Sequence, residues 1–255
     1  MVSPHPEADL ARLFECLTHL QNTTGFAKSD LWLCVTFVKR EIYMNVIALS
    51  QHQFGLNLDL LAAMFRLRRR VFRDRLGWTV SVTGDLELDV FDALNPTYLL
   101  LVSAGREVVG CVRLLPTTGP TMLADTFPQL LTGASPPRNN RILESSRFCV
   151  DTRLADQLAG NGLNRATFML FAAMIESLGL MDADSIVTVT DTRMERILRR
   201  AGWALERLAP PQKIGQTMAL AGVLHGSRET LLSMYRQAGI EGPVLSRPEA
   251  IQTAA

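Results

Sequence analysis

The stretch Thr97-Tyr-Leu-Leu-Leu-Val-Ser-Ala-Gly-Arg-Glu-Val-Val-Gly-Cys-Val-Arg-Leu-Leu115 decides the architecture. Two strand-like runs, 97–103 and 107–115, are joined through Ala104, Gly105 and Arg106, which predicts a β-hairpin. Upstream, Met44-Asn-Val-Ile-Ala-Leu49 reads as the first strand of a domain. Residues 58–76 carry helical spacing, with Leu61, Phe65, Arg68, Phe72 and Arg75 along one stripe. Downstream, a proline- and threonine-rich connection over 116–137 leads into a strand over 141–150. An apolar helix over 162–178, a β-branched strand over 185–190 and a basic amphipathic helix over 192–201, ended by Gly202, come next. Strands near 203–208 and 217–224 precede a last helix over 228–238, and no internal repeat is present. Strands alternating with helices behind one early hairpin predict an α/β chain, a mixed sheet covered by helices on both faces.

Composition narrows the function. The chain has 255 residues, 47% of them hydrophobic, enough for a core in one large domain or two small ones. A net charge of +1 argues against nucleic acid as the main partner, since phosphate binding needs a basic surplus. Cys16, Cys34, Cys111 and Cys149 lie far apart with no metal-ligand spacing, which reads as reduced thiols in a cytoplasmic protein. His5, His19, His52 and His225 form no H-E-x-x-H motif. Residues 1–43 carry no chemical motif: an amphipathic helix is expected around 9–20, and the apolar run 31–38 is too short to span a bilayer.

Several charges fall where the periodicity expects burial. Between Phe65 and Trp78 there are six arginines, of which Arg66, Arg70 and Arg73 share a solvated side. Arg68 instead lies on the apolar stripe and must find a carboxylate, because an unpaired buried charge is too costly. Glu87-Leu-Asp-Val-Phe-Asp92 offers partners, with Asp89 and Asp92 three apart around Phe91; beside Arg68 and Trp78 they suit a pocket for a cationic, aromatic-bearing ligand. Arg113 sits inside an apolar strand, either buried or facing water from an edge. Glu144-Ser-Ser-Arg147 falls in the next strand, where strict alternation puts Glu144 and Arg147 on opposite faces unless a bulge intervenes. Gln157-Leu-Ala-Gly-Asn-Gly162 fits the Q-x-x-G-x-G pyrophosphate loop of coenzyme-A-dependent N-acetyltransferases.

Together these pieces resemble the acyl-homoserine-lactone synthase (autoinducer synthase) family. Arg68, Phe72 and Trp78 match the arginine, phenylalanine and Leu-Gly-Trp that open its signature. Glu87, Asp89, Phe91 and Asp92 match its E-x-D-x-F-D. Gly110, Arg113 and Leu114 match G-x-x-R-L, Phe127 follows in the connection, and Glu144, Ser146, Arg147 and Phe148 match E-x-S-R-F. The likeness covers about residues 44–240, and the first 43 are its departure. A chain starting at Met44 would have 255 − 43 = 212 residues, about the family's usual size, so the extension is expected to be dispensable or a mis-set start.

The resemblance implies a GNAT-like, N-acetyltransferase-type fold, a three-layer αβα sandwich with a V-shaped gap for the acyl donor. It implies a synthase that acylates the amine of S-adenosylmethionine from an acyl-carrier-protein or acyl-CoA thioester and then closes the lactone, releasing methylthioadenosine. By the same resemblance Arg68, Phe72, Trp78, Asp89, Asp92, Arg113 and Phe127 form the S-adenosylmethionine site. Glu144, Ser146 and Arg147 are the catalytic residues, with Glu144 as general base, and Thr188 reads the acyl chain. No metal and no cofactor are expected, S-adenosylmethionine being a substrate, and neither nucleic acid nor membrane is expected as a partner. The alternatives are an N-acyltransferase using coenzyme A and another amine, which the 157–162 loop favours, and a non-catalytic module on the same fold.

Overall fold

The computed structural model describes residues 44–158 and 162–246. The helix expected at 9–20, the apolar run at 31–38 and residues 159–161 of the 157–162 loop lie outside them. Strand β1 (Met44–Leu49) leads through a 3₁₀ turn (Gln51–Asn57) into helix α1 (Leu58–Arg68), which continues as a π-helical segment (Arg69–Arg75). The expected stripe holds as far as Phe72: Leu61, Arg68 and Phe72 are buried. Arg75 is exposed instead, because i→i+5 winding carries later residues off an α-helical stripe.

A small hairpin, β2 (Val82–Thr83) with β3 (Leu86–Glu87), was not signalled by any alternation. The hairpin of β4 (Thr97–Ser103) and β5 (Val108–Pro116) forms as expected. The connection that follows holds helix α2 (Met122–Asp125) and a 3₁₀ turn (Pro128–Leu131). Then come β6 (Ile142–Val150), α3 (Thr152–Leu158), α4 (Gly162–Leu180), β7 (Ser185–Asp191) and α5 (Thr192–Arg200). Strands β8 (Glu206–Arg207), β9 (Gln212–Ile214) and β10 (Thr217–His225), helix α6 (Arg228–Ala238) and β11 (Leu245–Ser246) complete the described chain. The strand expected over 203–208 shrinks to two residues. Trp203 turns into the core instead, its Nε1 donating to the His225 carbonyl at 2.9 Å.

The main sheet runs β11-β1-β4-β5-β6-β7-β10-β8, with β9 also on β10. Its central strands are buried on both faces, which is why they read as continuous apolar runs. Along β4, Leu99 and Leu101 belong to the core cluster that α4 packs on, while Tyr98, Leu100 and Val102 belong to the cluster on the other face with the apolar side of α1. The result is the αβα sandwich that the resemblance implied.

Two irregularities shape the site. Strands β6 and β7 are parallel but pair only from Ile142 to Ser145 against Ser185 to Thr188, although β6 runs on to Val150 and β7 to Asp191. They part beyond that rung, which is the expected V. On its other edge β6 pairs with β5 through a bulge: Arg113 faces Ser146 and Cys111 faces Cys149, so Arg147 and Phe148 oppose Val112 alone. Arg147 takes a left-handed φ of 56° there. Cys111 and Cys149 are free thiols with sulfurs 3.4 Å apart, and burial pushes the Cys149 thiol up.

Candidate active site

Arg68 ends α1 pointing inward with no exposed surface. Its Nε donates to Glu87 Oε2 at 2.5 Å, and Nη1 and Nη2 grip both oxygens of Asp92 at 2.7 and 2.9 Å. Asp92 is held in turn by a 3₁₀ turn, Val90–Ala93, capped by Asp89. The Asp89 carboxylate accepts from Phe91 N at 2.9 Å and the Asp92 carboxylate from Asp89 N at 2.8 Å. The acids spaced three apart are thus a reciprocal cap that fixes both side chains.

Arg113 arrives from the centre of β5, fully buried. It forks onto Asp89 at 2.5 and 3.0 Å, reaches Asp92 Oδ1 at 2.8 Å, and gives Nε to Ser146 Oγ at 3.0 Å. Arg147 joins Glu87 at 2.9 and 3.1 Å and Asp89 at 2.7 Å. Three guanidinium groups and three carboxylates therefore interleave, which is how charges survive burial. Burial alone would raise the Asp92 carboxyl, but the hydrogen bonds and charge of Arg68, with Arg113 behind, hold it well below the usual range. Tyr98 also donates to Asp92 Oδ1, at 2.7 Å, and burial together with that carboxylate pushes its hydroxyl far above its ordinary value.

Glu144 is buried and accepts from the backbone N–H groups of Met122 and Leu123, both at 2.8 Å, at the start of α2. Desolvation raises its carboxyl above the ordinary range, against those two hydrogen bonds. The bulge brings Arg147 to the same place: its Nη1 lies 3.4 Å from Met122 Sδ, and Arg113 Nη2 lies 3.2 Å from that sulfur. Phe127 packs with Phe91, Leu115 and Met122 beside them.

Trp78 stacks on Phe72 with ring centres 5.2 Å apart, and the Arg147 guanidinium sits 5.5 Å from the Phe72 centroid. Trp78 remains 41% exposed, an aromatic face open to a ligand. Next to this assembly lies a cleft of about 490 Å³ lined by Leu88, Asp89, Phe91, Met122, Thr126 and Arg147, among others. Asp89 and Arg147 are the site residues that reach it, while Arg68 and Arg113 brace them from behind. Thr188 closes the last β6–β7 rung, its Oγ1 donating to the Ser145 carbonyl at 3.1 Å, where the strands part. Among the described residues no cluster of His, Cys, Asp and Glu is placed to hold a metal, and no helix is long and apolar enough to cross a membrane.

The structure joins Arg68, Asp89, Asp92, Arg113, Ser146 and Arg147 in one network, and three residues given no role in the sequence stand beside them. Glu87 was matched in the E-x-D-x-F-D motif without being given a role, yet its carboxylate is the most enclosed of the three. Tyr98 gains its role because β4 sets it opposite Arg113, a register no local pattern announces. Met122 lies in a connection whose composition gave no signal.

The family model described as autoinducer synthase matches residues 53–234. An acyl-homoserine-lactone synthase of Rhizobium radiobacter is 46% identical over 187 residues, 73% of this chain and 88% of the relative. One from Pseudomonas aeruginosa is 38% identical over 178 residues, 69% of this chain and 87% of its own. Among solved structures, the AHL synthase LasI superposes with a TM-score of 0.68 at 36% identity, covering 78% of this chain and 98% of that one. The CoA-dependent acyl-homoserine lactone synthase BjaI, solved with SAM and isopentyl-CoA, gives 0.73 at 26% identity over 81% and 94%.

Proposed function

The chain belongs to the autoinducer synthase family, and from that premise we propose how its cleft turns S-adenosylmethionine and an acyl thioester into an acyl-homoserine lactone. The observation that carries the proposal is the interleaved network of Arg68, Arg113 and Arg147 with Glu87, Asp89 and Asp92, which opens on the cleft through Asp89 and Arg147. S-adenosylmethionine occupies that cleft, with its cationic end near Asp89 and its aromatic end directed toward the exposed ring of Trp78. The acyl thioester enters where β6 and β7 part. There the edge of β6 no longer pairs with β7, and its N–H groups past Ser145 serve the oxyanion of the tetrahedral intermediate.

In the first step the amine nitrogen bonds to the thioester carbonyl carbon, the carbon–sulfur bond breaks and a thiol leaves. The amine must be neutral. At an α-amino pKa of about 7.7–8.0 roughly 10–17% is neutral at pH 7, so a modest base is enough. Glu144 takes that proton, through a water, and burial suits it by raising its carboxyl above the ordinary carboxylate range. In the second step the substrate's carboxylate attacks the carbon beside the sulfonium, whose bond to sulfur breaks with its electron pair leaving on neutral methylthioadenosine. Ring closure is intramolecular, so the protein's task is to fold the substrate correctly. Thr188, at the point where the strands part, reads the third carbon of the acyl chain.

The donor is an acyl-carrier-protein or acyl-CoA thioester, and the enzyme works in the cytoplasm beside the pools that supply it. Residues 1–43 are dispensable to this chemistry, a reading supported by a family match that begins at residue 53. The decisive experiment supplies S-adenosylmethionine with acyl-carrier-protein and acyl-CoA thioesters of graded length, following thiol and methylthioadenosine release. Equal release of both, with a lactone identified by mass spectrometry, is expected. Thiol release to other amines without methylthioadenosine would instead mark a plain N-acyltransferase.

A further inference from the structure

We propose that Glu87 is a positioning residue for ring closure: it aims Arg147 so that Nη1 receives the substrate's carboxylate, and thereby sets the balance between acylation and lactonisation. The proposal rests on the reading that the cleft takes S-adenosylmethionine.

A guanidinium has five N–H groups in one plane. On Arg147, Nε and Nη2 both donate to Glu87 Oε1, and Nη2 also lies 2.7 Å from Asp89 Oδ2 as an ion pair. The acceptor that the described residues give Nη1 is the thioether of Met122 at 3.4 Å, a weak one. Arg147 is also the one of the three interleaved arginines that lines the cleft, its side chain 10% exposed where those of Arg68 and Arg113 are fully buried. Nη1 is therefore the cationic donor left for an incoming carboxylate.

Glu87 cannot meet the substrate itself. Its side chain has no exposed surface, and its second oxygen is taken by Arg68 Nε, while Arg68 is clamped by both oxygens of Asp92. The result is a strut running from α1 to the β6 bulge. It fixes the plane of a guanidinium whose backbone already sits at a left-handed φ of 56°, a conformation that needs its surroundings to hold it.

The two reaction steps depend differently on that aim. Acylation uses the amine, which remains a nucleophile wherever the carboxylate points. Lactonisation uses the carboxylate itself, whose oxygen must line up behind the carbon–sulfur bond that breaks. Loosening Arg147 should therefore impair the second step more than the first.

Glu87→Gln keeps the length of the side chain and removes its charge. Single-turnover measurements should show methylthioadenosine release slowed about tenfold or more. At saturating S-adenosylmethionine thiol release should slow far less than methylthioadenosine release, acyl-S-adenosylmethionine should accumulate, and the KM for S-adenosylmethionine should rise while that for the acyl donor stays put. A purely structural role would slow both releases together, and that result overturns the proposal. Arg147→Lys keeps the charge but offers no Nη1, so it must show the same partition even if Glu87→Gln fails to fold. The double variant should be no worse than Arg147→Lys, and multiplied losses would also overturn the proposal. Wild-type protein that released no methylthioadenosine would defeat the S-adenosylmethionine reading itself, a different failure from an unchanged partition in the variants.

Discussion

Tyr98 and Arg113 stand directly opposite one another on β4 and β5, and both donate to the same oxygen, Oδ1 of Asp92, at 2.7 and 2.8 Å. A strand register thus becomes a clamp on a carboxylate. Tyr98→Phe should cost only about 1 kcal/mol, because Asp92 keeps its arginines. The Asp92 carboxyl is depressed in the folded state, so its stabilisation is complete above the unfolded value of about 3.9 and fades as pH falls below it. Asp92→Asn should therefore be less stable than wild type at pH 7, with the gap narrowing toward pH 2. Circular dichroism in urea across pH measures this, and a gap independent of pH would contradict it.

Arg68→Ala should abolish lactone synthesis and cost about 3–5 kcal/mol of stability, since Glu87 and Asp92 lose a buried partner. Arg70→Ala, two residues on, removes only an exposed pair with Asp151 and should change stability by about 0–1 kcal/mol. Equal tolerance of both substitutions would remove the basis for a special Arg68.

Glu144→Gln leaves one acceptor oxygen for two backbone N–H groups and sets an amide donor against the other. Acylation should slow by about 10²–10⁴-fold, with part of the loss returning as pH rises through about 8. Thiol and methylthioadenosine release are to be followed separately against pH. Accumulated acyl-S-adenosylmethionine in this variant would assign Glu144 to ring closure instead.

Gly110→Ala should destabilise the chain by about 1–3 kcal/mol. Its new Cβ would meet the Cys149 carbonyl and Leu170 Cδ1, each at 2.9 Å, and the carbonyl belongs to the β6 backbone. Gly119→Ala meets nothing within 4 Å and should shift stability by no more than about 0.5 kcal/mol. Matching urea midpoints for the two variants would show that β5 and β6 can spread.

A chain beginning at Met44 should fold and make lactone at the full-length rate. Circular dichroism and the methylthioadenosine assay together decide it, and a folded but inactive product would place part of the site in residues 1–43.

Much of this was legible because burial leaves a mark on sequence. Arg68 on an apolar stripe announced a buried pair, and the runs of β4 and β5 announced strands covered on both faces. Arg113 stayed ambiguous, since a strand's own residues do not say whether it lies at an edge, and the structure puts it at the centre. The Glu144–Arg147 relation depended on a bulge made by pairing with β5, a non-local event. The π-helical turn that exposes Arg75 and the two-residue strands left no periodic trace, being too short to have a period.

The four rungs that join β6 to β7 have a mechanical meaning. They are the only direct strand pairing that the described residues place between the β11-β1-β4-β5-β6 half of the sheet and the half built on β7 and β10, so the sheet is two leaves sewn along a short seam. An acyl chain lying in the opening would act as the missing stitches. Deuterium uptake by backbone amides from Ser146 to Val150 and from Val189 to Asp191 should fall when the chain fills the opening, while the amides of β4 barely change.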